Sequence, residues 1–374
     1  MADAYERLAR FLDELPAGYP PTESGVELRI LRKLFSPAEA RLFVHLSLIG
    51  EEARVVAYRA GMPMQDTARM LEEMERKGLV AGTCRPGRAL EYAANQFVVG
   101  FWEDQVNRID RELAELVEAY LPHYFQLGPW KQVPQIRTIP VGVSIPLEAP
   151  VMPYERAEEI VARHVSFAVR NCVCRQERQV LGKGCRQPME TCLSFDTGAE
   201  QTVRSGKGRP ISKEEALAIF QQAEASGLVL QPANSQDPAF ICACCSCCCG
   251  VLRNLKLHPS PGSLVNSAFT AVLDIRLCAS CGACTERCPM EAITLGDTSA
   301  VLDRQRCIGC GLCTSTCPTG AVTLMRKPAS EQPVIPRNTL STYLQMGRAT
   351  AKLSNAKIVK LALKSRLDRL RAGK

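Results

Sequence analysis

The N-terminal part of the chain carries apolar residues at the helical period in short runs, and the pattern then changes to that of strands. A capping box, Ser36-Pro-Ala-Glu39, begins a predicted helix that extends to Leu48. The same period predicts helices over about 51–60 and about 64–77, followed by two short strands around Arg85-Pro-Gly-Arg88. Three helices and a β-hairpin are therefore predicted within residues 24–98.

Beyond residue 98 the pattern is less regular. A charged helix over about 99–120 leads into a proline-rich stretch, which predicts a linker because proline lacks a backbone N–H. Helices are predicted again near 154–168 and 212–226, the second opened by Ser212 three residues before Glu215. A basic helix is predicted within 338–372, and a solvated, partly disordered tail is the alternative there.

The helices and hairpin of residues 24–98 resemble a winged-helix domain of the MarR/ArsR kind. Such domains usually read DNA with the third helix, which here, over residues 64–77, carries four acidic residues against three basic ones. Arg85 and Arg88 are the useful basic residues of the wing. DNA is therefore a less favoured partner than a structural or dimerisation use of the fold.

The composition indicates where the protein is located and what chemistry its cysteines perform. The chain has 374 residues and 19 cysteines, and no stretch approaches the roughly 20 apolar residues that span a bilayer. Thiols stay reduced in the cytoplasm, where we place the protein, so metal ligation is favoured over disulfides. Cys84 stands alone near the N-terminus, and it is assigned no role.

Charge is concentrated at the C-terminus. The formal net charge is +7, yet residues 326–374 carry twelve Lys and Arg against Glu331 and Asp368. Such a tail suits an acidic partner protein or an anionic membrane surface.

An internal repeat carries the strongest chemical signal. Residues 278–295 and 307–324 both contain C-x2-C-x2-C-x3-C-P, and ten of the eighteen aligned positions are identical. Soft thiolate ligands at this spacing favour iron–sulfur clusters, whereas zinc needs only four ligands in two pairs. Gly282, Gly309 and Gly311 lie beside the cysteines, where backbone N–H groups can approach cluster sulfurs.

The motif resembles the bacterial two-cluster ferredoxins. That resemblance implies a ferredoxin domain over residues 271–327 with two [4Fe–4S] clusters, in which the fourth cysteine of each run serves the other cluster. The implied ligands are Cys278, Cys281, Cys284 and Cys317 for one cluster, and Cys307, Cys310, Cys313 and Cys288 for the other.

Ten further cysteines form a second set of candidate metal ligands. They are Cys172, Cys174, Cys185 and Cys192 in one segment, and Cys242, Cys244, Cys245, Cys247, Cys248 and Cys249 in another. The segments hold separate sites or share ligands, and either a further iron–sulfur cluster or a structural zinc ion suits them. Nearby basic residues either favour the thiolates by lowering the thiol pKa values, or form a solvated face or a docking patch. They are Arg170, Arg175, Arg178, Lys183 and Arg186.

The order of these segments resembles multidomain [4Fe–4S] ferredoxin proteins of anaerobic microbes. The triplet Cys248-Cys249-Gly250 is also similar to the CCG motif of heterodisulfide-reductase subunits, although the downstream C-x-x-C is missing at the expected place. The expected fold class is multidomain α+β, with a winged-helix-like domain, a Cys-rich α/β middle module and a ferredoxin-like domain. The segments are 1–98 (N-terminal helix and winged-helix-like domain), 99–153 (helix and linker), 154–255 (Cys-rich module), 271–327 (ferredoxin domain) and 328–374 (basic tail).

These patterns predict an electron carrier or electron-transfer subunit that passes low-potential electrons to a partner oxidoreductase. Nothing in the sequence arranges a catalytic acid, base or nucleophile, and no dinucleotide fingerprint is present. Two alternatives stay open. One is a redox-sensing transcription regulator, and the other is a reductase with an open cluster site within 242–249.

Overall fold

The structure is a computed structural model that describes residues 3–84, 87–127, 129–144 and 151–373. It has a mixed α/β architecture with several small sheets and a ferredoxin-like unit near the C-terminus. Among the described residues, every helix is too short or too polar to cross a membrane.

The N-terminal module contains six helices and a three-stranded antiparallel sheet of order β1-β3-β2. Its elements are α1 (Ala4–Glu14), α2 (Val26–Leu34), α3 (Pro37–Phe43), β1 (Glu51–Glu52), α4 (Ala53–Ala60), α5 (Met64–Arg76), β2 (Val80–Thr83), β3 (Glu91–Ala94) and α6 (Arg111–Leu127). Aromatic residues fill the core, where Phe97 packs edge-on against Tyr19 and Tyr124. The capping box of Ser36 and Glu39 is present at the start of α3.

Several predicted boundaries are wrong in this module. The helix that begins at Ser36 ends at Phe43 rather than Leu48, because Ser47 and Ala94 pair their backbones and draw the chain toward β3. The helix expected over about 99–120 occupies Arg111–Leu127 and contains Pro122, which is exposed on its outer surface. A proline there removes one hydrogen bond without facing the core. Arg85 and Pro86 of the hairpin lie outside the described residues.

The middle module is built on a five-stranded antiparallel sheet of order β6-β4-β5-β8-β7. Its elements are α7 (Ala157–Ala162), β4 (Phe167–Asn171), α8 (Val173–Val180), β5 (Glu190–Phe195), α9 (Thr197–Arg204), β6 (Gly208–Ile211), α10 (Lys213–Ala225), β7 (Val229–Pro232), β8 (Phe240–Cys244) and α11 (Gly250–Leu257). The helix expected near 154–168 is shorter, because Phe167 and its neighbours pair with both β5 and β6. The helix expected near 212–226 is α10, capped by Ser212.

The stretch after α6 packs against the middle sheet. Ile136 and Ile139 form isolated bridges with Ala233 and Leu230, and the Arg137 side chain is buried. The prolines that follow the helix therefore do not release the chain from the core, so this part of the predicted linker is packed. Residues 145–150 lie outside the described residues.

The ferredoxin-like unit contains two antiparallel two-stranded sheets and one short helix. Strand β9 (Phe269–Leu273) pairs with β12 (Val322–Arg326), and β10 (Ile293–Leu295) pairs with β11 (Ala300–Leu302). Helix α12 (Ala283–Arg287) lies between the first cysteines of the repeat and β10. The two strands of the outer pair bracket both cysteine runs, so the runs lie close together in space.

The basic tail folds back onto the N-terminal module. It forms two helices, α13 (Thr339–Ala349) and α14 (Asn355–Arg371), where a single helix within 338–372 was expected. Arg59 donates to Glu51 at 2.8 Å and to Asp368 of α14 at 2.9 Å, and Ser365 donates to Glu51 at 2.6 Å. This buried network fixes α14 beside α4.

Candidate iron–sulfur and thiolate sites

The eight cysteines of the repeat line two separate cavities, which we call site I and site II. Site I is lined by Cys278, Cys281, Cys284 and Cys317. Site II is lined by Cys288, Cys307, Cys310 and Cys313. Each cavity thus receives three thiols from one run and the fourth from the other, which is the interleaving that the two-cluster ferredoxin pattern implies.

Backbone N–H groups point at the sulfurs of both sites. They are Ala300 N to Cys278 Sγ (3.4 Å), Ala292 N to Cys288 Sγ (3.2 Å) and Ala271 N to Cys307 Sγ (3.3 Å). Such donors stabilise negative charge on thiolates and on cluster sulfur. The donor set therefore fits a [4Fe–4S] cluster at each site.

Two glycines let the loop of site II pass close to neighbouring groups. Gly309 has a φ of +69° and Gly311 a φ of +76°. A Cβ on Gly309 would lie 2.3 Å from the carbonyl oxygen of Phe269, and one on Gly311 would lie 2.0 Å from Ser144 Oγ. Only glycine fits this path without displacing β9 or the segment before residue 145.

The two sites differ in burial. Site II has two buried cysteines, Cys310 and Cys313, whereas site I has one, Cys284, and its Cys281 is exposed. Burial raises the pKa of Cys313 to about 12, and the N–H of Ala300 lowers the pKa of Cys278. Thiolates at site II therefore need a positively charged core beside them, which iron supplies when a cluster is bound.

A third group, the four-sulfur site, lies in the middle module. Its members are Cys185, Cys245, Cys247 and Cys248, whose sulfur atoms all lie within 4.8 Å of one another. Cys248 Sγ is 3.5 Å from Cys185 Sγ and 3.8 Å from Cys247 Sγ. Four sulfurs at this spacing suit one metal centre, either a cubane cluster or zinc.

The four-sulfur site has a built-in charge gradient. The Cys248 thiol, together with the Arg175 guanidinium, lowers the pKa of Cys245 to about 4. Burial raises the pKa of Cys247 to about 11, although Cys247 is the exposed member of the set. Arg175 itself is fully buried and donates to the carbonyl oxygen of Ala243 at 2.9 Å. A fixed cation thus stands behind the inner sulfurs, and the outer one reaches the surface.

The remaining six cysteines of the middle module line one cavity of about 60 Å³, which we call the six-sulfur chamber. They are Cys172, Cys174, Cys192, Cys242, Cys244 and Cys249. The alternation of strand side chains explains part of this grouping, since Cys242 and Cys244 share one face of β8 and Cys192 is the cross-strand partner of Cys242. The other three cysteines flank the starts of α8 and α11.

Charged groups lie at the chamber wall. Arg170 donates to Cys192 Sγ at 3.3 Å and to Asp104 Oδ1 at 2.6 Å. The contact from Cys242, helped by Arg170, lowers the pKa of Cys192 to about 6. Glu103 also lines the chamber, and burial raises its pKa to about 8. The wall therefore pairs a fixed cation with a carboxyl group that burial keeps largely protonated at neutral pH.

The structure divides the ten cysteines differently from their two sequence segments. Cys185 joins three cysteines of the 242–249 run, and the other three of the first segment join the rest, so each group combines cysteines of both segments. Glu103 and Asp104 were not singled out in the sequence, because a carboxyl group far from any motif gives no local signal. Of the basic residues near Cys172, Arg170 and Arg175 face thiols, whereas Arg178 pairs with Glu118 at 2.7 Å.

Comparison with known proteins gives one match. A family model described as a 4Fe-4S dicluster domain matches residues 277–321. No curated protein and no solved structure matches the chain. The match covers the cysteine repeat, so the C-terminal half contains a ferredoxin-type 4Fe-4S domain, and this domain with the Cys-rich groups supports iron–sulfur cofactors.

Proposed function

We propose that this protein is an electron relay, in which site I, site II and the four-sulfur site hold iron–sulfur clusters that pass low-potential electrons to a partner oxidoreductase. In this proposal the ligands of sites I and II are the eight cysteines that line those cavities. The clusters supply one-electron redox chemistry, and the protein supplies their spacing, dielectric surroundings and hydrogen bonds.

The observation that carries the proposal is a continuous buried path between the sites. Cys284 of site I and Cys313 of site II belong to one apolar core. Cys310 of site II belongs to a second core that also contains Cys245 and Cys248 of the four-sulfur site. Site II therefore contributes buried cysteines to both cores, which supports a path of packed side chains from site I through site II to the four-sulfur site.

Specific hydrogen bonds hold the ferredoxin-like unit against the middle module. Arg306, next to Cys307, donates to the carbonyl oxygens of Met290 at 2.9 Å and Lys256 at 3.0 Å. The N–H of Val141 donates to the carbonyl oxygen of Cys310 at 3.1 Å. Electron transfer between clusters slows steeply with distance, so these contacts support a short and constant separation.

The relay needs a place where electrons leave or enter. Cys247 is exposed, whereas Cys245 and Cys248 are buried. A cluster at the four-sulfur site would therefore have one edge at the surface, where a redox partner can dock. We further propose that the cysteines are kept reduced in the cytoplasm.

The basic tail is the proposed docking element for an acidic partner protein or an anionic membrane surface. Val359, Leu363, Leu367 and Leu370 are exposed along α14 among six Lys and Arg residues. An apolar stripe flanked by cations suits both kinds of surface. Flotation with anionic and neutral vesicles separates them, because only a membrane surface would carry the protein upward with anionic lipid.

A test of the relay uses Arg306→Ala with Arg304→Ala, an exposed neighbour, as the matched control. After a pulse of reductant, rapid-freeze electron paramagnetic resonance follows the electron from the ferredoxin sites to the four-sulfur site. We expect Arg306→Ala to slow that transfer while the iron content is unchanged, and Arg304→Ala to behave as the unmodified protein. Transfer at the same rate in both variants, or a four-sulfur site that never takes an electron, would contradict the relay.

A second candidate function is a redox-sensing transcription regulator. Its support is the order of elements α3-β1-α4-α5-β2-β3 with the sheet order β1-β3-β2, as in a winged helix. Against DNA binding, α5 presents Asp66, Glu72 and Glu73 beside Arg69 and Arg76 on its exposed side, so phosphate attraction is weak. Regulator function predicts salt-dependent, sequence-specific DNA binding that changes with redox state.

A further inference from the structure

The six-sulfur chamber holds more thiols than either of the common thiolate centres uses. A structural zinc ion and a cubane [4Fe–4S] cluster each take four cysteines. Thiol contacts run without interruption from Cys172 through Cys174, Cys249, Cys244 and Cys242 to Cys192. Each of the six cysteines therefore contacts at least one other, and all six line the same cavity.

The two extra thiols cannot be assigned to the neighbouring centre. The four-sulfur site already has Cys185, Cys245, Cys247 and Cys248 within 4.8 Å of one another. Cys192, Cys244 and Cys249 of the chamber are buried, so they are not surface thiols either. Because all six cysteines line the same cavity, we infer that they share one bound group.

Charge argues that this occupant carries several metal ions. Two guanidinium groups lie near the six sulfurs, and one of them, on Arg170, is also paired with Asp104. The other, on Arg175, is shared with Cys245 of the four-sulfur site. If a bound metal ionised all six thiols, a single divalent ion would leave four of the six negative charges to the two guanidinium groups in a buried site, which is costly. A core of several iron ions spreads more positive charge along the row of sulfurs.

The size of the cavity agrees with this reasoning. The chamber encloses about 60 Å³, whereas the cavities of site I and site II each enclose about 20 Å³. Strand pairing and helix starts both define the chamber, so its width is fixed by rigid elements. The chamber is thus larger than either ferredoxin cavity, and it is lined by six cysteines where each of those is lined by four.

We propose that the six-sulfur chamber binds a single iron–sulfur cluster with more than four irons, held by more than four of its six cysteines. Arg170 is a positioning residue in this site, because it donates to Cys192 and offsets thiolate charge. This cluster is separate from the relay centres, and its presence does not depend on the relay function.

Counting iron tests the proposal. The full chain is purified anaerobically and reconstituted with iron and sulfide, and iron, acid-labile sulfide and zinc per chain are measured. The double substitution Cys185→Ser with Cys247→Ser empties the four-sulfur site. Sites I and II together hold about eight irons, so any further iron in this variant belongs to the chamber. We expect more than four such irons; about four would mean an ordinary cubane, and none, or zinc instead, would also overturn the proposal.

A second variant locates the irons. Cys192→Ser with Cys242→Ser should remove more than four irons per chain, whereas Cys84→Ser, at an exposed cysteine, should remove none. Loss of about four irons or fewer from a variant with native circular dichroism would refute the assignment. If the chamber variant fails to fold, the count on the four-sulfur variant still decides. A four-sulfur variant that loses no iron would contradict the relay while leaving the chamber to be counted from the total above eight.

Discussion

Substitution of Gly309 by alanine should remove the cluster of site II and leave that of site I. Gly309 has a φ of +69°, and its Cβ would lie 2.3 Å from Phe269 O and 2.5 Å from Ser267 Oγ. Non-bonded heavy atoms pack at about 3.5 Å, so the cysteine loop or β9 must move by about 1 Å. Either movement displaces Cys307 from the N–H of Ala271, which donates to its sulfur.

The magnitude has two parts that can be separated. A left-handed φ costs an alanine about 1–2 kcal/mol, and forced overpacking adds about 1–3 kcal/mol. Gly320 provides the control, because its φ is +67° but nothing lies within 4 Å of its Cβ. Gly320→Ala should therefore cost only the first part, and Gly309→Ala about 2–5 kcal/mol in total.

Iron content and reduced-state electron paramagnetic resonance provide the assay. Gly309→Ala should contain about four fewer irons and should lose the spin coupling between two reduced clusters. Gly320→Ala should keep both clusters and unfold at a slightly lower urea concentration. Equal iron content in the two variants would refute the reasoning, because the loop would then have moved to accommodate the added Cβ without losing the cluster.

Three further predictions concern the tail. Arg59→Met should lower the free energy of unfolding by about 3 kcal/mol, measured in urea, since it leaves Glu51 buried without its cation; an unchanged value would show that Ser365 suffices. Burial raises the pKa of Glu51 and of Asp368. Arg59 lowers the pKa of Glu51, and Lys364 together with Arg59 lowers the pKa of Asp368, so both pKa values lie below their ordinary values. That contribution is complete above about pH 5 and is lost progressively as the pH falls below about 4 and through the lowered pKa values. Protection of α14 against hydrogen exchange, relative to the intrinsic rate at each pH, should therefore fall there, and unchanged protection would contradict the network. Lys in place of Leu363 should reduce binding to anionic vesicles despite the added charge; stronger binding would show that charge alone drives docking.

The ferredoxin cysteines could be grouped from sequence because their spacing is local. Three thiols of each site come from one loop of seven residues, and the resemblance to two-cluster ferredoxins assigns the fourth to the other run. No long-range register enters this grouping. The glycines beside them were singled out because the absence of Cβ lets backbone N–H groups approach cluster sulfurs. The structure adds that Gly309 passes close to the backbone of Phe269 and Gly311 close to the Ser144 side chain.

The cysteines of the middle module could not be grouped in this way. Cys192 meets Cys242 only because β5 and β8 are neighbours with that register, and Cys185 reaches Cys248 from a loop after α8. Sequence spacing contains neither the strand order nor the register. The alternation Cys242-Ala243-Cys244 was the one available signal, because two cysteines on one face of a strand are set apart from the turn cysteines that follow.

Burial also suggests how the sites divide their work. Reduction adds a negative charge to a cluster, and a buried, weakly solvated site disfavours that charge more than an exposed one. Site I includes the exposed Cys281, whereas Cys310 and Cys313 of site II are buried between two cores. An electron should therefore rest on site I and cross site II only in passing to the four-sulfur site, where Arg175 again favours added negative charge. In the proposed relay, site II would then act as the bridge, and the close passage of its loop at Gly309 and Gly311 would help to keep its cysteines in place.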